Sequence, residues 1–142
     1  KQLRGQTTAA LSGAIRAALR DADIQPGDIG HINAHGLATA ECDAAEAQAI
    51  NDAFAPRGAE TPIAAMKSNF GNLGAGSGMV EFVGSVLALK HDTLPRVLNY
   101  DTRDEDCPIR VATDDETSAG GSFLKLNVTP QGQAAAVIVA RR

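Results

Sequence analysis

The chain has 142 residues, 17 acidic against 13 basic side chains, a formal net charge of −4 and 44% hydrophobic residues. That length bounds it to one domain or part of one, and the hydrophobic share suits a packed core rather than disorder. The acidic balance argues against nucleic-acid binding, and two cysteines, Cys42 and Cys107, make neither a disulfide framework nor a metal cluster. The longest apolar run, Met79 to Leu89, is too short to cross a bilayer and is interrupted by Glu81, so no membrane partner is expected. No secretory signal is present, and the reducing cytoplasm is the default compartment. The chain starts at Lys1 rather than Met, so it reads as a fragment or a processed product.

In chain order, Thr7 or Thr8 caps a first helix that runs to about Asp21, with Leu11, Ile15 and Leu19 forming one apolar stripe. Pro26 and Gly27 lie past its end. Ile29 to His35 reads as a short strand covered on both faces, because its residues do not alternate. A loop follows to Cys42. Asp43 and Glu46 resemble a capping box, which starts a second helix over Ala44 to Phe54, stopped by Pro56 and Gly58. Pro62 to Met66 reads as a strand and Gly71 to Gly78 as a glycine-dense turn. Met79 to Lys90 then forms a third helix, apolar nearly all round and so expected to be buried. Leu94-Pro95 opens an extended segment to Tyr100. The polar stretch 101–121 is mostly loop, with a short strand near Ile109 to Ala112. Phe123 to Val128 and Ala134 to Ala140 are two strands joined by Thr129-Pro130-Gln131-Gly132, a type I turn signature, hence an antiparallel hairpin. Alternating helices and strands point to a layered α/β domain over 1–142.

Two segments carry polar groups suited to chemistry. Asn33-Ala34-His35-Gly36 sets an imidazole at a strand end, where α/β folds open onto their sites. Taken alone, a histidine there is more often a core or loop residue satisfied by a backbone carbonyl. Lys67-Ser68-Asn69-Phe70-Gly71-Asn72 sets a lysine and an amide on the turn into the third helix. Glu81 is the only charged residue between Asn72 and Leu89, and a carboxylate on a buried helix needs a partner, for which Lys67 is nearest in sequence. The bland reading is a structural ion pair that anchors the turn. The Asn72 amide can donate a hydrogen bond without changing protonation, or can be a plain turn asparagine. Gly74, Gly76 and Gly78 match neither dinucleotide nor P-loop spacing, and close packing explains them as well as a phosphate would. Cys42 lies near a helix start, where a thiol can be acidified, but reads equally as a small buried residue. Cys107 has no basic neighbour, and His31 and His91 suggest structural or solvated roles.

Together these segments resemble the C-terminal half of a β-ketoacyl synthase of the elongating type that works on acyl carrier proteins, over about Leu11 to Asp106. Ile32 to Thr39 is similar to the N-A-H-G-T-x-T motif of that family, Asp43 to Ile50 to its acidic helix, and Lys67 to Asn72 to its K-S-x-x-G-H. Glu81 falls where the family keeps a glutamate, and Leu94-Pro95 on to Cys107 resembles the stretch after that helix. The resemblance implies the second half of a thiolase-like layered fold, a mixed sheet packed by helices with a C-terminal antiparallel hairpin. It implies decarboxylative condensation in fatty-acid or polyketide synthesis, without cofactor or metal. A cysteine takes an acyl group and two side chains hold the malonyl thioester oxygen. His35 would be one of those donors, Thr39 a contact to the phosphopantetheine arm, and Lys67 with Glu81 the supporting ion pair. The partners implied are an acyl carrier protein, the missing N-terminal half and a second copy in a homodimer.

The departures from the motif are specific. Asn72 replaces the second histidine, as in the Cys-His-Asn sets of initiating and chalcone-synthase-like enzymes. Leu37 replaces the first threonine. Asn127 is followed by Val128-Thr129-Pro130-Gln131-Gly132-Gln133 instead of the phenylalanine-bearing N-S-F-G-F-G-G-T-N loop. Neither Cys42 nor Cys107 matches the nucleophile, so these 142 residues alone are expected to form no acyl-enzyme and to expose an apolar sheet face. The alternatives are a non-catalytic homologue acting as a chain-length or structural partner, and, on the glycines only, a phosphate- or nucleotide-binding module.

Overall fold

The computed structural model describes residues 2–55 and 60–141. A long helix, α1 (Gln2–Ala22), opens the chain, and after a single 3-10 turn at Pro26–Asp28 the strand β1 (His31–Asn33) enters the sheet. Helix α2 (Ala40–Phe54) and strand β2 (Pro62–Ala64) follow, then a one-turn helix, α3 (Lys67–Phe70), and a 3-10 turn at Gly74–Gly76. Helix α4 (Ser77–His91), strand β3 (Arg110–Val111) and the hairpin of β4 (Ser122–Val128) with β5 (Ala134–Ala140) complete the order. The five strands lie in the order β3-β2-β1-β4-β5, parallel except for the antiparallel β4–β5 pair. The hairpin turn closes as its sequence implies, with the Gly132 N–H donating to the Thr129 carbonyl at 2.9 Å and Gly132 at φ +81°. Among the described residues no helix is long and apolar enough to cross a membrane.

Two helix starts differ from the sequence expectation. Thr7 and Thr8 lie inside α1 rather than capping it. Nothing before them breaks a helix, and the Thr8 hydroxyl is absorbed by the Arg4 carbonyl at 3.0 Å and the Ala45 carbonyl at 3.2 Å. Helix α2 begins at Ala40, one turn before the supposed capping box, with Thr39 at the N-cap and no side-chain capping bond. Glu46 is drawn away to the His35–Gly36 backbone, so it cannot close a box on its own helix. The stop assigned to Pro56 and Gly58 lies outside the described residues.

The two faces of the sheet differ in chemistry because strand side chains alternate. On one face Ile32, Leu124, Leu126 and Val128 pack with Leu11, Ile15 and Leu19 of α1 and Ile50 and Phe54 of α2 in an apolar core. On the other face His31 and Asn33 of β1 stand beside Phe123 and Lys125 of β4, their register partners, and α4 lies over them. Helix α4 is inverted relative to an ordinary surface helix. Its inward stripe carries Ser77, Glu81 and Ser85, each four residues apart, while Met79, Val83 and Leu87 are 66%, 52% and 50% exposed. The expectation of a helix buried all round is therefore wrong on its outer side, and the open apolar surface lies largely on this helix, with Ala135 and Val137 of β5 exposed on the sheet. The physical reason is that the sheet beneath supplies polar partners, so the polar residues of α4 turn inward and the apolar ones outward.

An exposed apolar strip of this kind drives self-association. The 142-residue chain in isolation is expected to sediment as oligomers or aggregates, and a Val83→Glu/Leu87→Glu pair to shift it toward monomer. A monodisperse monomeric parent chain in analytical ultracentrifugation would contradict this.

Candidate functional site

Strand β1 delivers residues 34–36 to the open end of the sheet, and their backbone is held on every side. The His35 and Gly36 N–H groups donate to the two oxygens of Glu46, at 2.7 and 3.0 Å. The Ala34 carbonyl accepts from Lys125 Nζ at 3.1 Å and the His35 carbonyl from Lys67 Nζ. Both lysines converge on the carboxylate of Glu81, Lys67 on Oε1 at 2.6 Å and Lys125 on Oε2. Glu81 is fully buried, and the lysine side chains are 8% and 5% exposed. Gly36 makes the exit turn at φ +51°, with the Ala65 side chain 3.1 Å from where a Cβ would sit. Ala38 is at φ +62°, an uncommon conformation for a residue with a Cβ, in the loop that carries Leu37 and Thr39.

The imidazole itself is left freer. His35 Nδ1 lies 3.3 Å from Asn127 Oδ1, and Nε2 has no hydrogen-bond partner among the described residues. Burial lowers the imidazole pKa, and the neighbouring Lys67 charge lowers it further, against the opposing effect of the Asn127 bond. The ring is therefore neutral at pH 7, with one nitrogen a donor and the other an acceptor. An asparagine partner suits either tautomer, because its amide can present Oδ1 or Nδ2. Asn127 is seated against Gly78, where a Cβ would come within 2.2 Å of Nδ2. Burial raises the pKa of Glu46, and its two backbone hydrogen bonds work the other way. Burial also lowers that of Lys125, opposed by Glu81.

A cleft of about 790 Å³ opens over these groups, lined by His35, Lys67, Asn72 and Asn127, by Leu37 and Thr39, and by the hairpin turn through Pro130. The structure thus brings His35 and Asn72 to one cavity. Asn72 sits on the exposed turn, its oxygen accepting from the Gly74 N–H at 3.0 Å and the Ser77 hydroxyl at 3.1 Å. Those two bonds fix the amide, and among the described residues Nδ2 is uncommitted. Thr39 is exposed along the cleft at the start of α2. The Lys67–Glu81 pair inferred from the sequence is present. The glycines divide: Gly71 and Gly74 take positive φ, whereas Gly78 is there for close packing.

Neither cysteine is activated. Cys42 lines the cleft, yet burial, then Glu46 and Asp43, push its thiol up to about 11. Burial, then Asp104, raise Cys107 as well. His31 is structural: it stacks on Phe123 at a centroid distance of 5.4 Å and bonds the Ala119 carbonyl at 2.8 Å and the Ser85 hydroxyl at 3.0 Å. His91 is exposed in the last turn of α4.

Lys125 escaped sequence reasoning altogether, and so did the roles of three others: Asn33, which donates to the Glu81 carbonyl at 2.7 Å and to Ser85 Oγ at 2.8 Å, and Glu46 and Asn127. One signal was available. Lys125 is a lone charge in the apolar strand Phe123 to Val128, with the same demand for a partner that singled out Glu81.

Comparison with known proteins gives one consistent result. The profile of the family described as "Beta-ketoacyl synthase, C-terminal domain" matches residues 2–101. The chain is 36% identical over 95 residues to a 3-oxoacyl-[acyl-carrier-protein] synthase 2 of Coxiella burnetii, covering 67% of this chain and 23% of that one. It is 34% identical over 99 residues to a putative polyketide beta-ketoacyl synthase 1 of Streptomyces cyaneus, covering 70% and 24%. Among solved structures, the ishigamide ketosynthase/chain length factor superposes with a TM-score of 0.89 at 26% identity, over 95% of this chain and 33% of that one. A type II acyl-carrier protein in complex with its ketosynthase bound to the hexaketide gives 0.87 at 29% identity, over 96% and 33%. The chain thus spans about a quarter of the length of these two curated relatives.

The site analysis makes two predictions. Cys42 is expected to react with iodoacetamide slowly at neutral pH, with a rate that climbs until about pH 11; a plateau below pH 9 would contradict its surroundings. Glu46→Gln should cost about 1–3 kcal/mol in urea unfolding, because one buried backbone N–H would face an amide NH₂ instead of an oxygen.

Proposed function

This chain belongs to the β-ketoacyl synthase C-terminal domain family, and on that premise we propose that it supplies the thioester-holding half of a decarboxylating condensing enzyme in fatty-acid or polyketide synthesis. The observation that carries this reading is His35: a neutral, half-buried imidazole on a fixed backbone, facing a cleft that also takes the uncommitted amide of Asn72. Its substrate would be a malonyl thioester on the phosphopantetheine arm of an acyl carrier protein, with Thr39 along the path of the arm. The carboxylate C–C bond breaks, carbon dioxide leaves and the electron pair moves onto the thioester oxygen, forming an enolate. His35 Nε2–H and Asn72 Nδ2–H donate to that oxygen. Each such donor is typically worth about 3–4 kcal/mol at a developing negative charge. For His35 to donate from Nε2, Asn127 turns its Nδ2 toward Nδ1. The enolate carbon then attacks an acyl thioester on a cysteine, whose thiolate is the leaving group.

That cysteine belongs to a part of the enzyme beyond these residues. With Cys42 at about 11 and Cys107 raised, neither offers a thiolate at neutral pH, so the 142 residues alone are inactive. The N-terminal half of the thiolase-like fold and a second copy in a homodimer are the remaining partners of this reading, in the cytoplasm. The second reading, a chain-length partner without its own turnover, draws on Leu37 and on the hairpin turn that lacks phenylalanines. One structural neighbour, from Xenorhabdus doucetiae, is a ketosynthase in complex with its chain length factor.

In the full-length enzyme His35→Ala is expected to lower malonyl-carrier decarboxylation by about 10²–10³-fold. Any acid limb of the rate that follows the imidazole should have its midpoint below the ordinary histidine value of 6.5, because burial and the Lys67 charge lower its pKa. Unchanged turnover in the variant removes His35 from the mechanism. Absence of an acyl adduct by intact mass at saturating donor, in the full-length protein, favours the chain-length partner.

A further inference from the structure

Lys125 stands between Leu124 and Leu126 in β4, the one charged side chain of a buried and mostly apolar strand. A buried ammonium is costly unless it is matched, and Glu81, its direct partner, already has Lys67 at 2.6 Å. The second lysine is therefore surplus to Glu81 alone. The unmatched charge is on Glu46, which is buried and, among the described residues, bonds the backbone N–H groups of His35 and Gly36 alone. Two carboxylates and two lysines make a neutral quartet, and Lys125 is the member that completes it. Its Nζ also holds the Ala34 carbonyl, the peptide unit that leads into His35.

We propose that Lys125 is a positioning residue for His35: it completes the charge balance that keeps Glu46 ionised on the His35 and Gly36 amides, and it fixes the preceding carbonyl directly. The charged and titratable groups facing it are Glu81 from α4, Lys67 from α3, Glu46 from α2 and His35 beyond β1, with Asp43 behind Glu46. Without Lys125 one lysine serves two carboxylates, so a carboxyl takes up a proton and the grip on the His35 amide loosens. A purely structural lysine would add stability and still lower the imidazole pKa through its charge, but would leave the His35 and Gly36 amides uncoupled from any carboxyl titration. The inference rests on reading His35 as a working group of the cleft.

The test is an NMR pH titration of the full-length protein, following the His35 imidazole and the His35 and Gly36 backbone amides in the parent, in Lys125→Met and in Lys125→Met/Glu81→Gln, which again has one lysine per carboxylate. In Lys125→Met the imidazole midpoint is expected to rise by about one pH unit, and both amides to shift with a carboxyl that titrates above the ordinary range. The double variant should return both signals toward the parent. Parent-like His35 and Gly36 amide signals across the titration of Lys125→Met, with only a lower melting temperature or a shifted imidazole, would overturn the proposal. If Lys125→Met does not fold, recovery of folding in the double variant supports charge balance and its failure overturns it. No readout depends on turnover, so this result and the fate of the condensing reaction are separable.

Discussion

The architecture around the cleft depends on one buried carboxylate shared by two ammonium groups. Glu81 lies on α4, Lys67 at the start of α3 and Lys125 on β4, so a single side chain ties the outer helix to the turn before it and to the sheet below. Removing charges from water costs several kcal/mol per ion, and such a cluster rarely adds net stability over apolar packing. Breaking it by removing one partner is another matter, at about 3–5 kcal/mol, because the remaining charge stays buried. Its value lies in register: α4 has one depth and one rotation at which both carboxylate oxygens meet their lysines.

That register reaches the loop after β1. Two consecutive carbonyls, of Ala34 and His35, are held by the lysines, and two consecutive N–H groups, of His35 and Gly36, by Glu46. The backbone of the histidine is fixed by charged groups while its ring has a single long contact to Asn127. A fixed main chain with an adjustable side chain suits a group that must meet a small reacting atom without reorganising the protein. The cysteines are left in surroundings that favour the thiol.

The hairpin and the long helices were legible because their signals are local. Leu11, Ile15 and Leu19 mark a stripe, and Pro130 and Gly132 mark a turn. The Lys67–Glu81 pair was legible because a lone charge on an apolar helix asks for a partner. The rest depends on distance in the fold. Glu46 has the spacing of a capping box, and only the approach of β1 shows that it caps another segment. The threonines of α1 promise a cap that a carbonyl of α2 takes over. The inversion of α4 was hidden because its composition is apolar on average. Only the placement of Ser77, Glu81 and Ser85 shows which side faces the sheet.

The four-residue spacing of that inward stripe has an evolutionary corollary. One residue gained or lost between Ser77 and Ser85 would rotate the downstream part of the helix by about 100°. The serine would leave Asn33 and His31, and a hydrophobic neighbour would be driven onto their hydrogen-bonding groups. Point changes on the outer side meet no such obstacle, so divergence along this helix should proceed by exchange of side chains at constant length, with indels relegated to the irregular stretch between His91 and Arg110.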